Sequence, residues 1–270
     1  MQHHDETLGK YLAGVRPLGK YLAGVRRRPH VLAVILSGSV ARGDEREDSD
    51  ADVYLVVTDE SFEEARKAGA LSTVRHDVAT YSDGYIDVKV ISLGYLDAAA
   101  ERAEEPARAP FQYARVAWSR VEGLHERISR IAALPEAEWR RREQSHIAAA
   151  RLYGGYFLPQ ADKLDDPLLR QWAALHLVTA AGRALLARQH VLFEGPKYLS
   201  RAVREIDRPT EYDALVEQLL AAPRPETAFA LLGALESHQP AGLGCEETLG
   251  RFVQDDELAW FFSTPPPERY

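Results

Sequence analysis

The sequence predicts an α+β protein, with an α/β first half followed by a helical second half. Two observations carry that prediction. Short apolar runs separated by turn residues fill the first 120 residues, the signature of strands. From Gly123 onward the spacing of apolar residues lengthens to helical periods, with Pro135 and Pro167 at plausible helix starts. The change of character places a domain boundary near Leu134-Pro135, giving units over residues 1–134 and 135–270.

Within the first unit, residues 1–29 form an N-terminal segment that holds one nonapeptide, Leu-Gly-Lys-Tyr-Leu-Ala-Gly-Val-Arg, twice, at 8–16 and 18–26. A ten-residue shift rotates a helix by about -80°, so the copies cannot share a buried face, and a single duplication is not a solenoid. Pro17 would break a continuous helix between them, so the second copy is expected to form the helix before the first strand. Val31–Leu36 is a continuous apolar run, as in a strand buried on both faces. Asp52–Val57 is a second strand, Ser61–Ala68 a helix, and Tyr85–Ile91 a third strand after an Asp83-Gly84 turn. Phe111–Trp118 is a candidate fourth. Helices are expected over 123–134, 136–158, 167–189, 198–206, 210–221 and 225–236, and the Pro-rich tail from Ser263 is expected to be loose.

Apolar residues make up 46% of the 270 and the formal net charge is -8. That composition excludes a disordered chain. It disfavours a long nucleic-acid substrate, because proteins that wrap duplexes carry a basic balance or face. Cys245 is the only cysteine, which removes intramolecular disulfides and cysteine-based zinc sites. No apolar run approaches the ~20 residues of a membrane span and no secretory pattern reads from the N-terminus. The expected location is the cytoplasm, with no membrane partner.

The chemistry concentrates in two places. Asp50 and Asp52 stand two apart at the start of a strand, so their side chains share a face. Asp87, on another strand, can join them. Three carboxylates on one face repel unless cations sit between them, and Mg2+ suits an oxygen donor set that leaves positions for phosphate oxygens. Two such ions, about 3.5–4 Å apart, would activate a hydroxyl and stabilise a leaving pyrophosphate. Just upstream, Gly38 lets backbone approach phosphate, and the Ser39 hydroxyl with N–H groups at a helix start would cradle it. Arg42, one turn further, either reaches a phosphate or forms a surface salt bridge. A calcium loop is the competing reading of Asp48, Asp50 and Asp52. It would place Val53 where glycine is required and Asp59 where glutamate is expected.

Gly38-Ser39-Val40-Ala41-Arg42-Gly43, then Ser49-Asp50-Ala51-Asp52, and the later strand aspartate Asp87 resemble the polymerase-β-like nucleotidyltransferase superfamily. The match is firm over about residues 30–92. The helical second half is similar, less specifically, to the substrate domain of aminoglycoside adenylyltransferases. The resemblance implies a nucleotidyltransferase α/β domain with a mixed sheet, followed by a helical bundle. It implies that Asp50 and Asp52 bind two Mg2+ ions, and that Asp87 binds the catalytic one and helps deprotonate the acceptor. It also implies a nucleoside triphosphate, ATP as first choice, as co-substrate. Gly38, Ser39, Arg42, Ser49, Lys89 and Lys197 are the expected nucleotide-contacting residues.

Lys89 faces the same way as Asp87 and serves either as counterion or as an α-phosphate contact. Lys197, in Glu194-Gly195-Pro196-Lys197, either reaches the triphosphate, as in similar two-domain enzymes, or is a solvated helix-start lysine. His146, His176 and His190 lack partners at metal-ligand spacing and read as helix-face or core residues. Tyr153, Tyr156, Trp172 and Phe193 read as core rather than substrate wall. Glu143, Asp162, Asp165 and Asp166 are weak candidates for attracting a cationic acceptor. The expected reaction is transfer of a nucleoside monophosphate to a hydroxyl of a small, antibiotic-like molecule, releasing pyrophosphate. The alternatives are a minimal nucleotidyltransferase acting on a protein or RNA end, and a degenerate nucleotide-binding regulatory module. Oligomeric state is open.

Overall fold

The computed structural model describes residues 19, 21–43, 51–76 and 85–261. Asp50, Ser49, the first nonapeptide copy, the Asp83-Gly84 turn and the Pro-rich tail lie outside them. The chain divides into two compact units, Met1–Ala103 with Ala107–Ala133, and Glu104–Pro106 with Leu134–Tyr270. The α+β class is borne out: the first unit holds a mixed five-stranded sheet and the second is helical.

The sheet is built from β1 (Val31–Ser37), β2 (Ala51–Val57), β3 (Ser72–Arg75), β4 (Ile86–Ser92) and β5 (Arg115–Ser119), in the order β3-β4-β2-β1-β5. β1 pairs antiparallel with β2 and β5, and β4 pairs antiparallel with β3 but parallel with β2. The parallel pair needs a crossover, which α2 (Asp59–Lys67) and β3 supply. Thr58 caps α2 by accepting from the Ser61 N–H at 3.4 Å, and Asp59 and Glu60 fill its first turn, where the helix dipole favours anions.

Alternation divides the strand residues between two cores. Val34, Leu36, Val53, Leu55, Ile86 and Val88 pack one face with Tyr21 and Val25 from the helical residues 21–25. Ala33, Ile35, Tyr54, Val56 and Ile91 pack the other beneath α3 (Leu93–Arg102) and α4 (Leu124–Ala132), through Leu96, Ile128 and Ile131. Arg108 is buried and donates to the carbonyls of Ala103 at 2.7 Å, Ile131 at 2.8 Å and Ala100 at 3.1 Å. One guanidinium thereby satisfies orphan carbonyls at the ends of both helices.

The second unit contains α5 (Glu136–Leu152), α6 (Leu158–Leu164), α7 (Pro167–Arg188), α8 (Pro196–Arg204), α9 (Tyr212–Ala221), α10 (Pro225–His238) and α11 (Thr248–Phe252). Asp166 caps α7 by accepting from the N–H groups of Leu168 and Leu169, both at 3.0 Å. Leu177, Leu185, Leu186, Phe193, Leu219 and Leu231 form much of its core. A polar knot sits among them. Glu105, 2% exposed, accepts from Arg142 Nη1 at 3.1 Å and from the Phe193 N–H at 2.8 Å, with Arg183 Nη2 at 3.5 Å.

Several elements differ from the sequence expectation. The helix expected over 136–158 stops at Leu152, and a π turn over Tyr153–Phe157 follows. There a Cβ on Gly154 would press on Leu232 at 3.0 Å and Leu177 at 3.1 Å. β3 and α3 were not expected at all. The candidate strand 111–118 is a 3-10 turn ending at Phe111, with the strand beginning at Arg115.

Candidate active site

Strand alternation and the parallel register decide where the carboxylates go. Ser37 pairs with Asp52 across β1 and β2, and Asp52 pairs with Asp87 across β2 and β4. Residues paired in register share a face of the sheet. The three therefore form a row across adjacent strands, with Asp52 and Asp87 as immediate neighbours.

Gly38 ends β1 at φ 70° and opens the short helix α1 (Gly38–Arg42). A Cβ built on it would collide with the Asp52 carboxylate and lie 2.9 Å from its Cγ. The glycine is required twice over, by its left-handed backbone and by the close approach of that carboxylate. Gly43, at φ 81°, closes α1 by donating its N–H to the Ser39 carbonyl at 3.0 Å. Ser39 and Arg42 are both half-buried on this turn.

Asp87 accepts a long hydrogen bond, 3.4 Å, from Ser72 Oγ. Lys89 is exposed, and its Nζ lies 5.8 Å from the centre of the Tyr54 ring, a cation–π distance. Among the described residues it makes no ion pair. Tyr54 stacks on Phe111 with centroids 4.8 Å apart. Burial first, then Tyr95, Asp52 and Asp87, hold its phenol above the ordinary range. Burial dominates that shift, and the two carboxylates on this face add to it.

Two facing carboxylates, one of them against bare glycine backbone, are a hard oxygen donor set, and it fits Mg2+. Among the described residues no group of three His, Cys, Asp or Glu side chains comes together as a metal cluster.

In the second unit Lys197 is exposed in the first turn of α8, with its Nζ 5.3 Å from the Tyr198 ring. The acidic residues there serve the fold. Glu143 pairs with Arg188 at 2.6 Å, Asp162 and Asp165 pair with Arg170 at 3.6 and 3.2 Å, and Asp166 caps α7. His146 is fully buried. That burial, then Arg183, Arg142 and Arg141, pushes its pKa well down. His190 stacks on Trp139 at 5.4 Å and meets Glu136 at 3.1 Å. His176 meets Trp172 in a tilted ring contact with centroids 4.3 Å apart.

Sequence reasoning passed over Ser72 and Tyr54. Tyr54 was legible, because it stands two residues after Asp52 and so shares its face. Ser72 gave no signal, because its strand has one apolar residue in four.

Residues 18–106, about a third of the chain, match a family model described as a nucleotidyltransferase domain. Those residues are a nucleotidyltransferase domain of the polymerase-β-like kind, as the motif resemblance implied. Among solved structures, a nucleotidyltransferase-like protein from Exiguobacterium sibiricum 255-15 aligns over 89% of this chain and 76% of its own. The two share 15% identity with a TM-score of 0.47. No curated protein matches the chain.

Proposed function

We propose that this protein is a Mg2+-dependent enzyme that transfers a nucleoside monophosphate, AMP from ATP, to a hydroxyl of a small, antibiotic-like acceptor. The observation that carries the reading is the register pairing of Asp52 with Asp87, beside a glycine that admits no side chain. In this reading Asp50, Asp52 and Asp87 hold the magnesium ions. When bound, those ions neutralise phosphate charge and acidify the acceptor hydroxyl. Asp87 receives the proton of that hydroxyl. The freed oxygen forms a bond to the α-phosphorus, and the bond to pyrophosphate breaks. Gly38, Ser39 and Ser49 hold the phosphates, and Arg42 adds positive charge to them. Lys89, with its Nζ 5.8 Å from the centre of the Tyr54 ring, serves as a counterion to this acidic face.

A screen of hydroxylated acceptors with labelled ATP, CTP, GTP and UTP in Mg2+, read by pyrophosphate release and product mass, tests this. The expected result is one acceptor gaining the mass of a nucleoside monophosphate. The reading fails if pyrophosphate release from every acceptor is the same for the wild type and Asp52→Asn.

A further inference from the structure

Helix α7 is apolar on two sides. Ala173, Ala174, Leu177, Ala180 and Ala181 turn into the core of the helical unit. Leu168, Trp172 and Leu175 are exposed, from 40% for Trp172 to 79% for Leu168. Thr179 continues their line, and its hydroxyl donates to the Leu175 carbonyl at 2.8 Å, back onto its own helix. A surface helix normally keeps charged residues on its outer side. Over residues 168–179 Arg170 is the only Asp, Glu, Lys or Arg, and Asp162 and Asp165 of its own chain hold it.

The face extends beyond α7. Tyr156 and Trp172 read from the sequence as core, yet both are exposed, and Phe157 meets the two rings at 5.2 and 5.6 Å. Leu164, at the end of α6, is exposed too. At roughly 200 Å2 for a large side chain, these five residues open roughly 600 Å2 of apolar surface. That is the upper end for a patch on a monomer. Two such faces would bury about 1,200 Å2, where specific interfaces begin.

The pattern along α7 says what covers it. Positions 168, 172, 175 and 179 are spaced four, three and four apart, which is the seam of a paired helix. The spacing is also symmetric about its midpoint, between Ala173 and Ala174. An antiparallel copy of the same helix sets Trp172 against Leu175 of the partner subunit, and Leu168 against Thr179 of the partner subunit. Exchanging the two chains reproduces the same contacts, as a two-fold interface requires.

We propose that α7 pairs antiparallel with α7 of a second copy of this chain, making a homodimer through the face that carries Leu168, Trp172 and Leu175.

Sedimentation of the full chain from about 1 to 100 µM tests this. The wild type should pass from the mass of one chain to that of two. Leu168→Glu and Leu175→Glu should weaken association by about a hundredfold or more, and Leu175→Ser, which adds no charge, by about tenfold. Their melting temperatures, taken where the wild type is also monomeric, should match it, because both side chains face outward. In a Cys245→Ser background, Leu168→Cys mixed with Thr179→Cys should cross-link faster than Leu168→Cys with itself. The proposal is overturned if the wild type stays monomeric at about 100 µM, which would leave the face to a different protein. It is also overturned if Leu175→Glu dimerises as the wild type does, or if Leu168→Cys cross-links to itself as readily as to Thr179→Cys.

Discussion

The two units each hold carboxylates at a chosen place, and they treat them oppositely. In the helical unit Glu105 is buried with Arg142, Arg183 and a backbone N–H around it. Its charge is met inside the protein. On the sheet, Asp52 and Asp87 sit side by side. Asp87 has a hydroxyl contact but no ion pair among the described residues. A buried charge with its cations built in serves the fold. Like charges paired on one sheet face repel, and an added cation relieves that repulsion. The same functional group meets built-in cations in one unit and, in the proposed function, a bound metal in the other.

Neutralising the sheet pair should have the largest effect. Asp52→Asn or Asp87→Asn should cut turnover by about a thousandfold or more, roughly 4 kcal/mol of barrier at about 1.4 kcal/mol per decade. The melting temperature should hold or rise, because a repulsion is relieved. Calorimetry beside a pyrophosphate-release assay checks both halves. Gly38→Ala comes next. Its methyl would collide with the Asp52 carboxylate at a backbone angle that disfavours side chains. Activity should fall by about a hundredfold, and the strained backbone should cost about 1–3 kcal/mol.

The helical unit should respond in stability instead. Glu105→Gln removes the most deeply buried carboxylate facing Arg142 and Arg183, although Arg142 keeps Glu104 and Glu138, at a cost of about 3 kcal/mol. Urea unfolding should show the loss, while turnover per folded molecule stays near wild type. Equal loss of turnover would erase the contrast between the units.

The smallest effect is one of pH. Burial, helped by Glu105 and opposed by Arg142, pushes the Glu104 carboxyl from 4.5 up to about 7. A carboxyl whose pKa is raised on folding binds more protons in the native state. Its stabilising share is therefore full below about pH 4.5 and is lost as pH rises toward 7. Glu104→Gln should flatten the stability profile across that window.

Much of this was legible in the sequence, for identifiable reasons. β1 and β2 announced themselves as apolar runs buried on both faces, and β4 by alternation after a turn signal. Alternation alone put Asp50 and Asp52 on one face and left Asp87 able to join them. The pairing of Asp52 with Asp87 was not legible, since register depends on the crossover through β3, an exposed edge strand with Val74 as its one apolar residue. α3 was hidden because the apolar run of β4 passes straight into it. Its start is marked by Ser92, whose hydroxyl accepts from the Tyr95 N–H at 3.2 Å. Nothing in the sequence separates Glu104 and Glu105 from surface acids. Only tertiary packing reveals that Arg142 and Arg183, far along the chain, make Glu105 part of a core.

The central claim is that Asp52 and Asp87 bind the cation that nucleotide binding needs. The direct measurement is the affinity of wild type and Asp87→Asn for a non-hydrolysable triphosphate, in Mg2+ and in EDTA. The account predicts that Mg2+ tightens wild-type binding by about tenfold or more, close to 1.4 kcal/mol, and has little effect on the variant. An equal gain in both proteins would contradict it.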